Sequence, residues 1–177
     1  GTDLLCNGVC TGAVDLTPSG GNSPYTYAWS SGPTTPDLTG LCSGTFTVTL
    51  TDVNGCTDIA SVTLTQPPAL GLTLSGTNLD CNGVCDGSVT SALSGGTPTY
   101  NYVWSTGPTT PGLSSLCAGS FSLTVTDFNS CVITETVVIT EPPLLTASIT
   151  GSTDPLCNGG TDGDATVTAG GGTGAYT

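Results

Sequence analysis

Nine cysteines are the residues of this 177-residue chain best able to do covalent chemistry, and their spacing is regular. Cys6, Cys10, Cys42 and Cys56 return as Cys81, Cys85, Cys117 and Cys131, each 75 residues on, and Cys157 opens a third set. Structural zinc usually shows two short-spaced ligand pairs, and this chain offers one short pair per set and no His, so disulfides in an oxidising, extracellular setting are the better reading. Ser and Thr are abundant, but without His or Lys they have no ordinary base to activate them, and no two carboxylates recur as a pair for glycoside chemistry. No enzyme activity is expected. Asp52, Asn54 and Asp58 have the oxygen-ligand character of a calcium site, yet the second copy reads Asp127, Asn129 and Ile133. A turn with an Asx role fits both copies, which leaves only weak calcium binding to the acidic surface and no other cofactor.

The wider composition removes whole classes of partner. Thirteen acidic residues face no Lys, Arg or His, for a formal charge of -13. Phosphates cannot be neutralised by such a chain, so nucleic acid and electrostatic attachment to anionic lipid are excluded as partners. No apolar run reaches the ~20 residues needed to span a membrane, and no signal peptide appears at Gly1, so export information is expected to lie outside these residues. Intramolecular isopeptide bonds are also excluded, because there is no Lys.

The elements that must position the cysteines are strands. Phe46, Val48 and Leu50 alternate with threonines, as do Phe121, Leu123 and Val125 in the second copy, and each run passes through an Asp-x-Asn turn into another alternating run. Two half-buried strands joined by a turn predict a β-hairpin. Upstream, Leu70, Leu72 and Leu74 alternate, and Gly20-Gly21 and Gly95-Gly96 turn the chain into a Tyr-x-Tyr-x-Trp strand. Its Tyr25, Tyr27 and Trp29, with Tyr100, Tyr102 and Trp104, share one face in both copies and are expected in the core rather than on a glycan platform. The fold class is all-β: tandem immunoglobulin-like β-sandwich modules of about 75 residues, beads on a string. Pro67-Pro68 and Pro142-Pro143 mark the boundaries, giving a first repeat at 1–68 that lacks its N-terminal strand, a complete second at 69–143 and a truncated third at 144–177. Both ends cut through a module, which reads as a piece of a much longer protein.

Strand parity then constrains the cysteines. The third copy keeps Cys157 but has Thr161 where Cys10 and Cys85 stand, so the first cysteine of a set does not need the second. The second and third precede strands that start at the same end, which favours the internal pairs Cys10 with Cys42 and Cys85 with Cys117. The fourth follows the hairpin turn at the opposite end, ~26 Å from the first, whereas a disulfide tolerates less than ~7 Å between Cα atoms. A bond between consecutive modules, Cys6 with Cys131, is the hypothesis this suggests, with an internal Cys6 to Cys56 pair as its alternative. Cys56, Cys81 and Cys157 would then find their partners in adjacent modules.

With Cys-Asn-Gly, Gly-Gly, Pro-Tyr-Thr-Tyr-Ala-Trp-Ser, Leu-Cys-Ser-Gly-Thr-Phe-Thr-Val-Thr-Leu-Thr-Asp-Val-Asn-Gly-Cys and a terminal Gln-Pro-Pro in place, the chain resembles the SprB-type repeat over essentially its whole length. The resemblance implies a very large surface adhesin of Bacteroidetes, export by the type IX system, cell-surface filaments and, in some members, adhesion during gliding motility. It supplies no catalytic residues. It also makes Cys10, Cys42, Cys85 and Cys117 additions to a two-cysteine form of the repeat. The expected function is mechanical: the stalk or shaft of an extracellular filament or giant adhesin, built from disulfide-stapled repeats. Its partners are neighbouring repeats of the same chain and identical chains in a filament, and its Thr and Ser are candidates for O-glycans. The alternative is a multivalent array that binds glycan or protein through the loops at 31–40 and 106–115.

Overall fold

The computed structural model describes residues 1–173, 175 and 176; Gly174 and Thr177, both inside the expected third repeat, lie outside the described residues. Thirteen strands and no helix form among the described residues. They are β1 Gly12–Val14, β2 Thr26–Trp29, β3 Leu38–Leu41, β4 Gly44–Thr51, β5 Thr57–Leu64, β6 Gly71–Thr77, β7 Gly87–Ser94, β8 Asn101–Trp104, β9 Leu113–Leu116, β10 Gly119–Thr126, β11 Val132–Ile139, β12 Thr146–Thr153 and β13 Asp164–Gly170. The strands repeat as the sequence does: β2 through β5 recur as β8 through β11 with the same bounds 75 residues later, and β12 and β13 are the third copies of β6 and β7.

The first two repeats each divide their strands between two sheets. In the first, β1 pairs with β3, and β2, β4 and β5 form a sheet in the order β2-β4-β5; in the second, the orders are β6-β7-β9 and β8-β10-β11; the third supplies the pair β12-β13. These are tandem antiparallel modules of the immunoglobulin-like sandwich kind. Alternation explains the hairpin: Phe46, Val48 and Leu50 stand opposite Val62, Ala60 and Asp58, while the interleaved threonines face outward. Thr45 and Thr63 share a hydroxyl bond of 2.9 Å across that face. In the second repeat Ser122 meets Thr136 at 2.8 Å and Thr124 meets Thr134 at 2.9 Å. Cross-strand hydroxyl pairs are the polar contact open to a sheet whose chain has no cations.

The chain gathers into two compact units. The first comprises Gly1–Leu72, Leu93–Asn101 and Val125–Ile133, so it takes the whole first repeat and three segments of the second; the remainder forms the other unit. In the first unit Leu4, Val14, Trp29, Leu38, Val48 and Leu64 make a buried cluster, with Leu16, Tyr27, Leu41, Phe46 and Val62 packed against it. In the other, Leu79, Val89, Trp104, Phe121, Leu123 and Ile139 are buried. Trp29 and Trp104 are thus core residues, whereas Tyr25, Tyr27, Tyr100 and Tyr102 are half-buried. The Tyr25 hydroxyl donates to Gly20 O at 2.6 Å and that of Tyr100 to Gly95 O at 2.7 Å, so each ties its strand to the preceding Gly-Gly turn.

One backbone site separates the two hairpin turns. Ser130 has φ 67°, where the first repeat has Gly55 at φ 84°. A side chain in this left-handed region costs about 1–2 kcal/mol, against roughly 0.5–1 kcal/mol for the extra unfolded-state freedom of glycine. Ser130→Gly is expected to raise the unfolding free energy by about 0.5 kcal/mol in a urea titration, and a loss of stability would contradict the assignment of strain to that residue.

Candidate functional site

Leu5, Cys6, Thr97, Asp127, Asn129 and Cys131 gather where the first repeat meets the second, within the first compact unit, whereas Cys81, Cys85, Cys117 and Cys157 belong to the other. Cys6 is bonded to Cys131, with Cα atoms 5.8 Å apart and a sequence separation of 125. Cys10 is bonded to Cys42 and Cys85 to Cys117, each across a separation of 32. Cys56, Cys81 and Cys157 carry free, exposed thiols.

Cys131 is presented by a turn organised around one carboxylate. Oδ1 of Asp127 accepts from the backbone N–H groups of Asn129 and Cys131, both at 2.9 Å, and Oδ2 accepts from Thr97 N at 2.9 Å. The backbone closes the same turn, with Asp127 N donating to Cys131 O at 3.0 Å and Ser130 N to Asp127 O at 3.0 Å. Asn129 then reaches into the preceding repeat: its Nδ2 donates to Leu5 O at 2.9 Å, and also to Thr97 Oγ1 of its own repeat at 2.9 Å. One short motif, Asp127-x-Asn129-x-Cys131, therefore supplies a clamp, a non-covalent tie and a covalent bond.

The first repeat builds the same turn. Asp52 accepts from Asn54 N and Cys56 N at 2.9 Å and from Asn22 N at 3.2 Å. Its carboxylate is committed to amides, and Asp58 uses Oδ1 on Ile59 N. The residues weighed for calcium thus make an Asx turn, and no group of three ligating side chains gathers among the described residues.

Burial pushes the Asp127 carboxyl upward, but the Thr97, Cys131 and Asn129 N–H groups outweigh it and hold the group below the usual carboxylate range. For Asp52 the Cys56 N–H leads; desolvation opposes it, and the Asn22 and Asn54 N–H groups add to it, again lowering the pKa. Asp3 is lowered by the Thr65 backbone N–H.

The opposite end of the first and second repeats is held by a contact that sequence reading missed. Asn7 Nδ2 donates to Pro67 O at 3.0 Å and Gly8 N to Gln66 Oε1 at 2.9 Å; in the second repeat Asn82 Nδ2 donates to Pro142 O at 3.0 Å and Gly83 N to Glu141 Oε2 at 2.8 Å. The Cys-Asn-Gly turn is therefore a clasp on the Pro-Pro segment. Its signal was available in the coincidence of Asn-Gly with Gln or Glu before each Pro-Pro.

The loops proposed for ligand display are engaged internally. Trp29 Nε1 donates to Thr35 O at 2.8 Å and Trp104 Nε1 to Thr110 O at 2.9 Å, while Thr35 Oγ1 and Thr110 Oγ1 donate to Asp37 O and Gly112 O. Both loops are also shorter than read from sequence: residues 38–40 belong to β3 and 113–115 to β9. Leu38 is buried there, which is why a stretch bracketed by Pro and Gly still takes a strand.

Residues 2–34, 73–109 and 149–177 match the SprB repeat, more than half of the chain. The chain belongs to the SprB repeat family. Family and stapled tandem modules together give a structural, non-catalytic role in an extracellular filament or adhesin at the cell surface. No curated protein matches the chain. Among solved structures the amphioxus IgVJ-C2 molecule is similar at a TM-score of 0.35 and 14% identity, over 73% of this chain and 96% of that one. That likeness carries no weight here; the architecture rests on the strand pairing of these SprB repeats.

Two outcomes follow from the site. A depressed carboxylate contributes stability that is complete above its unfolded pKa of about 3.9 and is lost as pH falls through the lower folded value. The melting temperature is expected to stay level down to about pH 5 and to drop below about pH 4. Asp127→Asn should melt lower at neutral pH and fall less steeply in acid, and an unchanged acid slope would remove Asp127 as a source. Replacing both Cys85 and Cys117 by serine opens a loop of 32 residues and should cost about 3–4 kcal/mol in a denaturant titration.

Proposed function

We propose that these repeats form a shaft that carries tension between a cell-surface anchor and a distal adhesive part. The observation that supports this reading most is the Cys6–Cys131 bond, which joins cysteines of consecutive sequence repeats. Tension entering near Cys6 passes through that bond, so the intervening chain, with its hairpins and both internal bridges, is shielded from extension. Repeat boundaries at 1–68, 69–143 and 144–177, and the continuation of the same bond along further repeats, belong to this proposal. So does lateral association of identical chains: β5 and β11 end their sheets, and Ile59, Val132 and Val138 on them are exposed.

Pulling single molecules by their two ends tests the shaft. The bond closes a separation of 125 that already contains the two 32-residue separations, so at about 3.4 Å per residue its removal frees roughly 200 Å of additional chain. Cys6→Ser is expected to extend by that much more than the parent and to yield at lower force. Equal extension would defeat the load-bearing reading, and specific capture of a glycan by the immobilised parent would favour display instead.

A further inference from the structure

Cys6 and Cys81 are held alike but end differently. Each opens an Asn-Gly turn in which the asparagine amide donates to the first proline of a Pro-Pro pair, and Val9 N and Val84 N fold back onto the cysteine carbonyls at 3.4 and 3.3 Å. Cys6 is bonded to Cys131, whereas Cys81 is an exposed thiol. Beside Cys81 lies a cavity of about 300 Å³, lined by Pro142, Leu145, Gly172, Thr173 and Tyr176 among others.

The lining identifies what the cavity is shaped for. Gly172 and Thr173 stand 76 residues after Gly96 and Thr97, and Leu145 stands 75 after Leu70. Near Cys6 those counterparts receive the Asp127 turn: Thr97 N donates to the carboxylate, Thr97 Oγ1 accepts from Asn129, and Thr97 O accepts from Phe128 N at 3.3 Å. A Cβ on Gly96 would come within 3.0 Å of Asp127 Oδ2, so glycine there lets the carboxylate seat. The frame is reproduced as well, since Gly172 N donates to Pro143 O at 2.8 Å as Gly96 N does to Pro68 O at 3.0 Å, and the Tyr176 hydroxyl donates to Gly171 O as Tyr100 does to Gly95 O.

We propose that the cavity beside Cys81 is the seat of a β-hairpin turn reading Asp-x-Asn-x-Cys, contributed from outside residues 1–177 by a hairpin of this same repeat type and locked there by a disulfide to Cys81. Its carboxylate accepts from Thr173 N–H, and its asparagine amide donates to Thr173 Oγ1 and to Asp80 O, the counterpart of Leu5 O. The incoming cysteine arrives as a mixed disulfide, with a protein thiol oxidant in its natural setting. Cys81 gives its proton to water, its thiolate attacks the incoming cysteine sulfur, the new S–S bond forms, and the oxidant's thiolate leaves. This inference rests on the continuation of the Cys6–Cys131 type of bond along further repeats proposed above, and not on whether the shaft bears load.

A head-to-tail cyclised peptide containing residues 119–139 of this chain, with its Cys131 carried as a mixed disulfide with 2-nitro-5-thiobenzoate, probes the seat on the intact 177-residue protein. Release of the aryl thiolate reports the rate, and mass mapping after cleavage at acidic residues reports the site. Cys81 is expected to react about tenfold faster than Cys56 or Cys157, and Asp127→Ala in the peptide should erase that preference. Leu145→Trp in the protein, at an exposed residue, should fill the cavity and remove the preference while leaving Cys81 as reactive toward the aryl disulfide alone. Equal labelling of the three thiols by the parent peptide, or a preference for Cys81 that survives both substitutions, would overturn the proposal.

Discussion

A carboxylate in this chain can find no side-chain cation, since thirteen acidic residues coexist with no Lys, Arg or His. Solvent can meet that charge, and so can backbone N–H groups left over where a turn interrupts a ladder. The structure uses the second route repeatedly. Asp52 and Asp127 each gather three amides, Asp3 takes Thr65 N, and Asp37 takes Leu16 N at 3.1 Å. Charge-assisted bonds of this kind are stronger than neutral ones, and they reinforce turns that backbone bonds such as Asp127 N to Cys131 O already close. Where Asp127 sits, the fixed turn is also the one that presents Cys131, so the same carboxylate helps place the inter-repeat bond.

The same constraint shapes the sheets. A small sandwich buries a limited core, and ion pairs cannot supplement it on the outer face. Hydroxyl pairs such as Thr124 with Thr134 take that place. They keep the face polar without adding to a net charge of -13, whose self-repulsion already opposes compaction. Cross-links then supply what burial and surface pairing do not, chiefly by restricting the unfolded chain.

The sequence was most readable where one residue type at one spacing had a single physical solution. Alternating Phe121, Leu123 and Val125 specify a hairpin strand because the period of two leaves no other arrangement that buries all three. Trp29 and Trp104 were legible as core for the same reason. The tyrosines were less so: alternation places Tyr25 on the face of Trp29 but cannot say that the sheet edge leaves its ring half-buried with the hydroxyl turned back to Gly20. The loop at 31–40 was read too long because Pro and Gly mask Leu38, whose burial decides the strand. The Asn7 clasp on Pro67 and the reach of Asn129 to Leu5 were hidden because they join residues 60 and 124 apart. Local pattern carries no information about such pairs unless the topology is already known.

The third repeat separates the two kinds of bridge. It keeps Cys157 and its Asn-Gly turn but has Thr161 in place of Cys10 and Cys85, so the internal bond cannot form there in the same way. β12 and β13 nevertheless pair along their length, from Thr146 opposite Gly170 to Thr153 opposite Asp164. Pairing of the β6–β7 kind therefore does not require the internal bridge, which instead staples the ends of the β7 and β9 strands. Cysteines of the other kind, such as Cys6, stand at the Pro-Pro clasp instead, where a bond can alter how force and motion pass from one repeat to the next. Loss of the internal pair leaves a weaker repeat, whereas loss of the clasp cysteine would leave a repeat tied to its neighbour by non-covalent contacts such as Asn129 to Leu5.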